Sequence, residues 1–430
     1  MRIAFVSLGC SKNLVDTQRI LGMLLPHCQL TENYNKAEAI FVNTCGFIEA
    51  AKKEAIATIL EMAEYKEQGS CRMLIVLGCL AERYQTELMK EMPEIDLIVP
   101  LHDYDKLRDI LKENLGIAVD CRFGENRQLT GSPWSAYLKI ADGCDNCCSY
   151  CSIPLIRKNY RSVPLDDLLQ EAEELVAKGV KELVLIAQDT TLYGQDLPSK
   201  PTLIELLKAL QEIPALHWIR VLYMYPALVN RALIDAMHSL SKVLMYFDIP
   251  LQHGSDRLLL AMNRRGTTAD IIKQIEYLQG LNTPYVLRTT MMVGFPGETP
   301  EDFDLLLELV KKVRFHKLGA FQYSKEEDTP AYNFIAEVTR KIAKQRLREL
   351  LSLQQSISQT RNAELCGQTL EVLVEDKTVK GYQGRSLYNS PEGVDGYVYI
   401  QGASSLKLGE FYQVKIVAAT IYDLFGEITS

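Results

Sequence analysis

AYLKIADGCDNCCSYCSIP, residues 136–154, joins a short apolar stretch to four cysteines that fall within eight residues. Cys144, Cys148 and Cys151 have the spacing C-x3-C-x2-C. Three thiolates on one loop can hold three irons of a 4Fe–4S cluster and leave the fourth iron open. A structural zinc site commonly has four ligands, and Cys147 would have to supply the fourth because the loop has no His. Packing of buried cysteines is a third interpretation, but the density of cysteines favours the cluster.

The strand that precedes this loop is the first of a series. Between residues 135 and 335, six apolar stretches alternate with amphipathic ones, which predicts a partial (β/α)6 TIM-like barrel instead of a closed barrel of eight. Residues 1–120 alternate in the same way and predict an open, mainly parallel α/β sheet. We interpret residues 121–134 as a linker and 336–364 as a connecting helix. Period-two patterning in residues 365–430 predicts a small antiparallel β-barrel, OB-like in type.

Three further cysteines each end an apolar stretch of the N-terminal part. Cys10 closes RIAFVSLGC, Cys45 closes AIFVNTC and Cys79 closes MLIVLGC. The carboxyl ends of parallel strands share one edge of an open sheet, and ligands bind there. Cysteine is also a common buried strand residue. The repeated placement at strand ends nevertheless predicts a second three-thiolate site.

Composition limits the class of protein. The 430 residues carry 47 Lys or Arg and 55 Asp or Glu, so a net charge of −8 argues against a chain that grips a nucleic-acid backbone along its whole length. No apolar run is long enough for a transmembrane helix, and the N-terminus resembles a strand more than a secretory signal. We therefore expect a cytoplasmic monomer that contacts no membrane. Eleven cysteines point to metal or redox chemistry.

The cysteine loop after the first barrel strand resembles that of the radical S-adenosylmethionine (SAM) enzymes. Over essentially its whole length the chain is similar to the methylthiotransferases, which have an N-terminal three-cysteine domain, a radical SAM domain and a TRAM-type barrel. The motifs that carry the likeness are SLGCSKNLVDTQ, VNTCGFIEAAKKEAI, GCLAERY, LVLIAQDTTLYGQDL, YFDIPLQHGSDRLLLAMNRRGT, RTTMMVGFPGETPEDF and SKEEDTPAYN. The residues after NTC, after GC and at AQDTT favour the branch that modifies a ribosomal protein.

The resemblance implies two 4Fe–4S clusters. Their ligands would be Cys144, Cys148 and Cys151 for the cluster that binds SAM, and Cys10, Cys45 and Cys79 for an auxiliary cluster that carries the sulfur to be delivered. One SAM would donate a methyl group, and a second would be cleaved to the 5′-deoxyadenosyl radical. The implied target is the β-carbon of an aspartate of small-subunit ribosomal protein twelve. A β C–H bond has no useful acidity, so a radical is needed to open it.

Five residues are candidates for SAM contacts by the same resemblance. Tyr150 would lie near the adenine, and Gln188 and Asp189 would hold the amino group. Ser255 and Arg288 would meet the ribose or the carboxylate, for which a guanidinium is well suited. Each of them is also an ordinary choice for a turn or a helix cap. No catalytic side chain is expected beyond the cluster ligands.

One position after the cysteine loop departs from the family pattern. Ile153 to Arg157 follow the loop as in relatives, but Lys158 stands where the family has Gly. A second departure is Val163, which stands in place of Arg. The resemblance therefore does not define the details of this loop.

The choice of partner rests on the terminal barrel. Residues 366–430 contain five Lys or Arg and eight Asp or Glu, which suits a basic protein more than phosphate. An ordinary soluble surface is the alternative explanation. We expect ribosomal protein twelve as substrate, free or in the ribosomal subunit, and a flavodoxin or ferredoxin as electron donor. A tRNA adenosine 2-methylthiotransferase remains an alternative, as does a non-catalytic iron–sulfur or zinc scaffold.

Overall fold

A computed structural model describes residues 1–379, 381–402 and 405–429. Lys380, one of the five basic residues counted in the terminal barrel, lies outside this part. The chain forms two compact units. Unit 1 contains residues 1–131, 142–160 and 324–332, and unit 2 contains residues 132–141, 161–323 and 333–430. The domain boundaries expected from the sequence stay a prediction.

Unit 1 is built on a five-stranded parallel sheet with the order β2-β1-β3-β4-β5. Apolar side chains pack on both faces, as a parallel sheet covered by helices requires. The elements are β1 (Arg2–Ser7), α1 (Ser11–Leu24), β2 (Gln29–Leu30), β3 (Ala39–Thr44), α2 (Glu49–Gln68), β4 (Met73–Gly78), α3 (Cys79–Arg83), α4 (Gln85–Glu91), β5 (Leu97–Pro100), α5 (Leu107–Leu115) and α6 (Ile153–Arg157).

Unit 2 contains the βα series. Its strands form two parallel three-stranded sheets, β10-β9-β6 and β11-β12-β13, and isolated parallel bridges join Ile219 to Val243 and Gln252 to Met291. The elements are β6 (Ser135–Lys139), α7 (Leu165–Ala177), β9 (Glu182–Ile186), α8 (Leu203–Gln211), β10 (Trp218–Val221), α9 (Arg231–Ser239), β11 (Tyr246–Asp248), α10 (Asp256–Ala261), α11 (Thr268–Gln279), β12 (Val286–Val293), α12 (Pro300–Val313), β13 (Lys317–Gln322) and α13 (Arg340–Ala363). Two short strands, β7 (Ala141–Asp142) and β8 (Arg161–Ser162), lie between β6 and α7 in sequence.

The C-terminal part of unit 2 is a closed five-stranded barrel with the order β14-β15-β16-β18-β17. Its strands are β14 (Thr369–Thr378), β15 (Gly381–Arg385), β16 (Val398–Ile400), β17 (Phe411–Ala419) and β18 (Leu424–Ile428). The pairing is antiparallel except between β16 and β18, which run parallel. A closed ring with an odd number of strands cannot alternate direction throughout, so one parallel pair is unavoidable. The fold class expected from the sequence is confirmed.

The terminal barrel is joined to the βα series by the floor loop, residues 386–396 between β15 and β16. Arg220 donates to the carbonyl oxygens of Ser386 and Leu387 at 3.3 and 3.0 Å. Asp395 accepts from the Tyr246 hydroxyl at 2.5 Å, and its carbonyl oxygen accepts from Lys317 at 2.6 Å. Arg220, Tyr246 and Lys317 each lie within the first three residues of their strands in the βα series. The floor loop therefore contacts the amino-terminal ends of the strands, whereas barrels of this kind bind ligands at the carboxyl-terminal ends.

A buried ion network reinforces this junction. Glu182 of β9 contacts Arg220 at 2.8 Å and Arg385 of β15 at 2.6 Å, and all three side chains are almost fully buried. Arg385 also makes two 2.8 Å hydrogen bonds to Glu375. Burial alone would raise the pKa of Glu182, but the two guanidinium groups hold it down at about 2. The network is therefore fully ionised at neutral pH.

In unit 1, the segment 324–332 binds the stretches that follow two strand-end cysteines. The buried carboxylate of Glu326 accepts from the backbone N–H of Glu49 at 2.8 Å, and it pairs with Lys52 at 3.0 Å and Arg83 at 3.5 Å. Lys52 lies seven residues after Cys45, and Arg83 lies four residues after Cys79. One carboxylate thus connects two chain segments more than 240 residues away from it in sequence.

None of the helices in the described ranges combines the length and the apolar character needed to cross a bilayer. The longest is α13, whose 24 residues include buried polar side chains such as Arg346 and Gln354. Short 3-10 helices complete the structure at Tyr34–Lys36, Leu101–Lys106, Thr190–Leu192, Pro226–Leu228, Pro330–Asn333 and Pro391–Gly393.

Replacing Arg385 with Met should destabilise unit 2. The change leaves Glu182 and Glu375 without this guanidinium, and removing one partner of a buried ion pair typically costs about 3–5 kcal/mol. Both tryptophans, Trp134 and Trp218, belong to unit 2, so urea unfolding followed by tryptophan fluorescence reports on this unit. Arg348→Met, at an exposed position of α13, is the matched control. Equal midpoints for the two variants would contradict the role given to the network.

Glu326→Gln should loosen the segments after Cys45 and Cys79. The amide can still accept from the Glu49 N–H, but the charges of Lys52 and Arg83 lose their carboxylate partner. Hydrogen–deuterium exchange of peptides covering residues 46–52 and 80–84 should become faster. Asp328→Asn, at an exposed position two residues away, should change this exchange little. If both variants exchange like the unmodified protein, Glu326 does not hold these segments.

Candidate metal and cofactor site

The three strand-end cysteines lie on neighbouring strands of unit 1. Cys10 caps the N-terminus of α1 after β1, Cys45 follows β3, and Cys79 is the first residue of α3 after β4. β1, β3 and β4 are adjacent and parallel, so the three cysteines lie at one edge of the sheet. Cys10 is exposed, Cys45 is half-buried and Cys79 is buried.

Glycines let these loops approach one another. A Cβ atom on Gly9 would stand 2.9 Å from the Cβ atom of Cys45, and one on Gly46 would stand 3.0 Å from the Cα atom of Leu80. Gly9 has φ of +93°, a conformation that favours glycine. Each of the three cysteines has a glycine neighbour in sequence. The pairing of Gly with Cys is thus a sequence signal for close approach, in addition to the placement of the cysteines at strand ends.

The thiols of the three strand-end cysteines also affect one another's pKa. Burial raises the pKa of Cys79 to about 12, partly offset by Arg157, while Cys10 and Cys45 raise it further as potential negative charges. Burial likewise raises the pKa of Cys45, with a further upward contribution from Cys10. A thiolate at Cys79 therefore needs compensating positive charge, from a metal centre or from Arg157.

Two buried asparagines hold the strand ends together. Asn13 donates to the carbonyl oxygens of Leu8 and Thr44 at 3.1 and 2.9 Å, and its side-chain oxygen lies 3.4 Å from the sulfur of Cys79. Asn43 donates to the Asn13 carbonyl oxygen at 2.9 Å. Asn13 therefore links the segments that carry all three cysteines. It stands in the SKN motif, where residue type and spacing did not indicate this role.

The second cysteine group, in residues 144–151, also belongs to unit 1. A turn brings Cys148 and Cys151 together, since the Cys151 N–H donates to the Cys148 carbonyl oxygen at 3.0 Å. The N–H of Cys144 donates to the Lys158 carbonyl oxygen at 3.2 Å. Cys144, Cys148 and Cys151 are half-buried, whereas Cys147 is exposed. This difference is consistent with three ligands and one bystander.

The loop is held in place by other segments of unit 1. Ser152 donates to the Phe47 carbonyl oxygen at 2.9 Å, two residues after Cys45. The carbonyl oxygen of Ser149 accepts from the N–H of Ala331 at 2.8 Å. The segment 324–332 thus contacts both the stretches after the strand-end cysteines and the C-x3-C-x2-C loop.

Lys158 adopts φ of +59° and ψ of −151°, a backbone conformation that residues other than glycine rarely adopt. Glycine adopts this conformation at little steric cost, so the glycine expected from the resemblance would fit this position better than lysine does. The Lys158 ammonium reaches the Leu155 carbonyl oxygen at 3.0 Å and the Glu82 carboxylate at 3.5 Å. These contacts help to hold the conformation.

The donor chemistry fits iron–sulfur ligation. Each group offers three cysteine sulfurs, and thiolates are the usual ligands of 4Fe–4S clusters, each on a different iron. Among the described residues, no three His, Cys, Asp or Glu side chains are grouped closely enough to hold a single metal ion.

The five residues proposed for SAM fall in both units. Tyr150 lies in the cysteine loop of unit 1, and the other four lie in unit 2. Gln188 and Asp189 follow β9, at the carboxyl end expected for ligand binding. The carboxylate of buried Asp189 caps the next turn by accepting from the N–H and hydroxyl of Thr191. Their assignment to SAM stays a prediction.

Ser255 and Arg288 already have protein partners. Ser255 caps α10, and its hydroxyl donates to Asp302 at 2.6 Å. Arg288, the third residue of β12, contacts Asp248 at 2.8 Å and Asp395 of the floor loop at 3.6 Å. Arg288 therefore belongs, with Arg220, Tyr246 and Lys317, to the side chains of the βα series that contact the floor loop. These contacts do not support its assignment to SAM, which stays a prediction.

Comparison with known families matches the three parts of the chain. The Radical SAM superfamily matches residues 138–310, the uncharacterized protein family UPF0004 matches residues 2–100, and the TRAM domain matches residues 366–429. The superfamily match assigns SAM and a 4Fe–4S cluster to the chain.

Solved structures share the fold at low sequence identity. The methyltransferase TsrM from Kitasatospora setae superposes with a TM-score of 0.55 and 13% identity, covering 77% of this chain and 76% of TsrM. The radical enzyme OxsB superposes with a TM-score of 0.53 and 12% identity, covering 83% of this chain and 57% of OxsB. These likenesses concern the fold alone.

Curated relatives are similar over almost their full length. A protein of Lachnoclostridium phytofermentans named ribosomal protein uS12 methylthiotransferase RimO is 44% identical, covering 99% of both chains. One of the same name from Clostridioides difficile is 44% identical, covering 100% of this chain and 99% of the relative. The enzyme class inferred from the motifs is confirmed, and this protein belongs to the RimO family of radical SAM methylthiotransferases.

Proposed function

We propose that this enzyme attaches a methylthio group to the β-carbon of an aspartate of ribosomal protein uS12. SAM would serve both as methyl donor and as the source of the 5′-deoxyadenosyl radical. The observation that carries the proposal is that Cys10, Cys45 and Cys79 lie at one edge of the unit 1 sheet, in the same compact unit as the C-x3-C-x2-C loop. The names of the full-length relatives support the choice of substrate.

Six cysteines would hold the two clusters. Cys144, Cys148 and Cys151 would bind the cluster that supplies the electron for SAM cleavage, and Cys10, Cys45 and Cys79 would bind the auxiliary cluster that carries the sulfur. The protein's side chains would position the clusters and shield them from water. Asn13 and Arg157 contact the Cys79 sulfur. The floor loop contacts the amino-terminal end of the barrel strands, opposite to the end at which ligands bind. SAM contacts from Tyr150, Gln188 and Asp189 belong to the same proposal.

The charge of the terminal barrel bears on the choice of protein partner. In the terminal barrel, acidic side chains are exposed at Asp376, Glu392, Glu410 and Glu427, and basic side chains are exposed at Lys377, Lys407 and Lys415. This slight acidic excess is compatible with a basic ribosomal protein as partner. We place the enzyme in the cytoplasm as a monomer, with a flavodoxin or ferredoxin supplying electrons.

The substrate assignment is tested with anaerobically reconstituted enzyme, SAM and a reductant. Small ribosomal subunits or free uS12 should gain one methylthio group on an aspartate, detected by peptide mass spectrometry, and bulk tRNA should gain none. Modification of tRNA adenosine without modification of uS12 would assign the enzyme to the tRNA branch.

The division of labour between the cysteines is tested with triple Cys→Ser variants. Replacing Cys10, Cys45 and Cys79 should abolish methylthiolation while 5′-deoxyadenosine still forms; replacing Cys144, Cys148 and Cys151 should abolish both. Iron should fall from about eight to about four per chain in either variant, since each cluster contains four. Cys147→Ser is the matched control and should retain activity. Zinc without acid-labile sulfide in the unmodified protein would reject both clusters.

A further inference from the structure

Arg157 is a buried guanidinium that contacts both cysteine-bearing regions of unit 1. It ends α6, six residues after Cys151, and its side chain is 2% exposed. One terminal nitrogen, Nη1, donates to the carboxylate of Asp142 at 2.7 and 2.9 Å, two residues before Cys144. The other, Nη2, faces the strand-end cysteines.

At Nη2 the guanidinium has three neighbours. They are the side-chain oxygen of Asn13 at 2.7 Å, the carboxylate of Asp16 at 3.1 Å and the sulfur of Cys79 at 3.7 Å. Asp16 is itself 1% exposed, so this ion pair is shielded from water. A shielded positive charge acts more strongly on its neighbours than an exposed one, because the surroundings polarise less.

A purely structural ion pair needs no sulfur contact. Asp16 and Asp142 already supply two carboxylates to Arg157, which is enough to compensate its charge. Arg157 nevertheless directs an N–H group at the Cys79 sulfur. In the proposed function this sulfur is a ligand of the auxiliary cluster. Reduction potentials of iron–sulfur clusters depend on net charge nearby and on hydrogen bonds to their sulfurs.

We propose that Arg157 is a positioning residue that anchors the C-x3-C-x2-C loop through Asp142 and, through Cys79, raises the reduction potential of the auxiliary cluster. This inference rests on the proposed function, because it requires Cys79 to be a cluster ligand. Asp16 opposes the effect, since its negative charge lies beside the same guanidinium. Arg157 and Asp16 therefore shift the reduction potential of the auxiliary cluster in opposite directions.

The test is a redox titration followed by electron paramagnetic resonance in a chain that retains only the auxiliary site, with Cys144, Cys148 and Cys151 replaced by Ser. Arg157→Gln should shift the midpoint potential to more negative values, because reduction adds an electron that the guanidinium no longer stabilises. Asp16→Asn should shift it to more positive values. Arg157→Lys keeps the charge and should shift it less than Arg157→Gln.

Arg127→Gln is the matched control. It removes another buried guanidinium of unit 1, one that is bonded to Gln18 at 2.9 Å, and should leave the potential unchanged. In the complementary chain, which retains only Cys144, Cys148 and Cys151, Arg157→Gln should change the potential less than it does at the auxiliary site.

The outcomes separate this inference from the proposed function. Unchanged potentials in Arg157→Gln and Asp16→Asn, with iron retained, would leave Arg157 a structural ion pair and overturn the inference. If Arg157→Gln loses its iron, Asp16→Asn and Arg157→Lys still decide by the direction and size of their shifts. Absence of iron in the parent chain that retains only the auxiliary site would instead reject the auxiliary cluster itself.

Discussion

Buried arginines paired with carboxylates connect segments that are distant in sequence in both units. In unit 1, Arg157 meets Asp16 and Asp142; in unit 2, Glu182 lies between Arg220 and Arg385. A buried charge without a partner is costly, so each pair allows only arrangements in which its members meet. These contacts constrain the cysteine loops in one unit and the barrel junction in the other.

The junction in unit 2 also explains which end of the strands remains for ligands. The floor loop uses Asp395 and two carbonyl oxygens to satisfy Tyr246, Lys317 and Arg220, side chains that point to the amino-terminal ends of the strands. Gln188 and Asp189 follow the carboxyl end of β9, away from this contact. The terminal barrel thus has a structural task in addition to the partner surface that its charge indicated.

Much of the architecture was predictable because it depends on local patterns. Period-two and helical patterning located the strands and helices, and strand ends at Cys10, Cys45 and Cys79 followed from the rule that parallel strands share an edge. Other features were not predictable. The parallel pairing of β16 with β18 follows from closing an odd ring, and the contact of Glu326 with Lys52 and Arg83 joins residues far apart in sequence. Arg288 and Ser255 had side chains suited to SAM, but nothing local revealed Asp395 and Asp302 as their partners.

The sequence by itself determined the chemistry: six cysteines in two sets of three, the βα series, and a family likeness strong enough to name the reaction class. These properties reside in residue type and short spacing, which need no knowledge of distant contacts. Only the tertiary structure decided which side chains surround the sulfurs. Asn13 and Arg157 reach Cys79, and Asp16 pairs with Arg157, because strands and loops separated by up to about 140 residues pack side by side. Such proximity is set by the packing of whole elements.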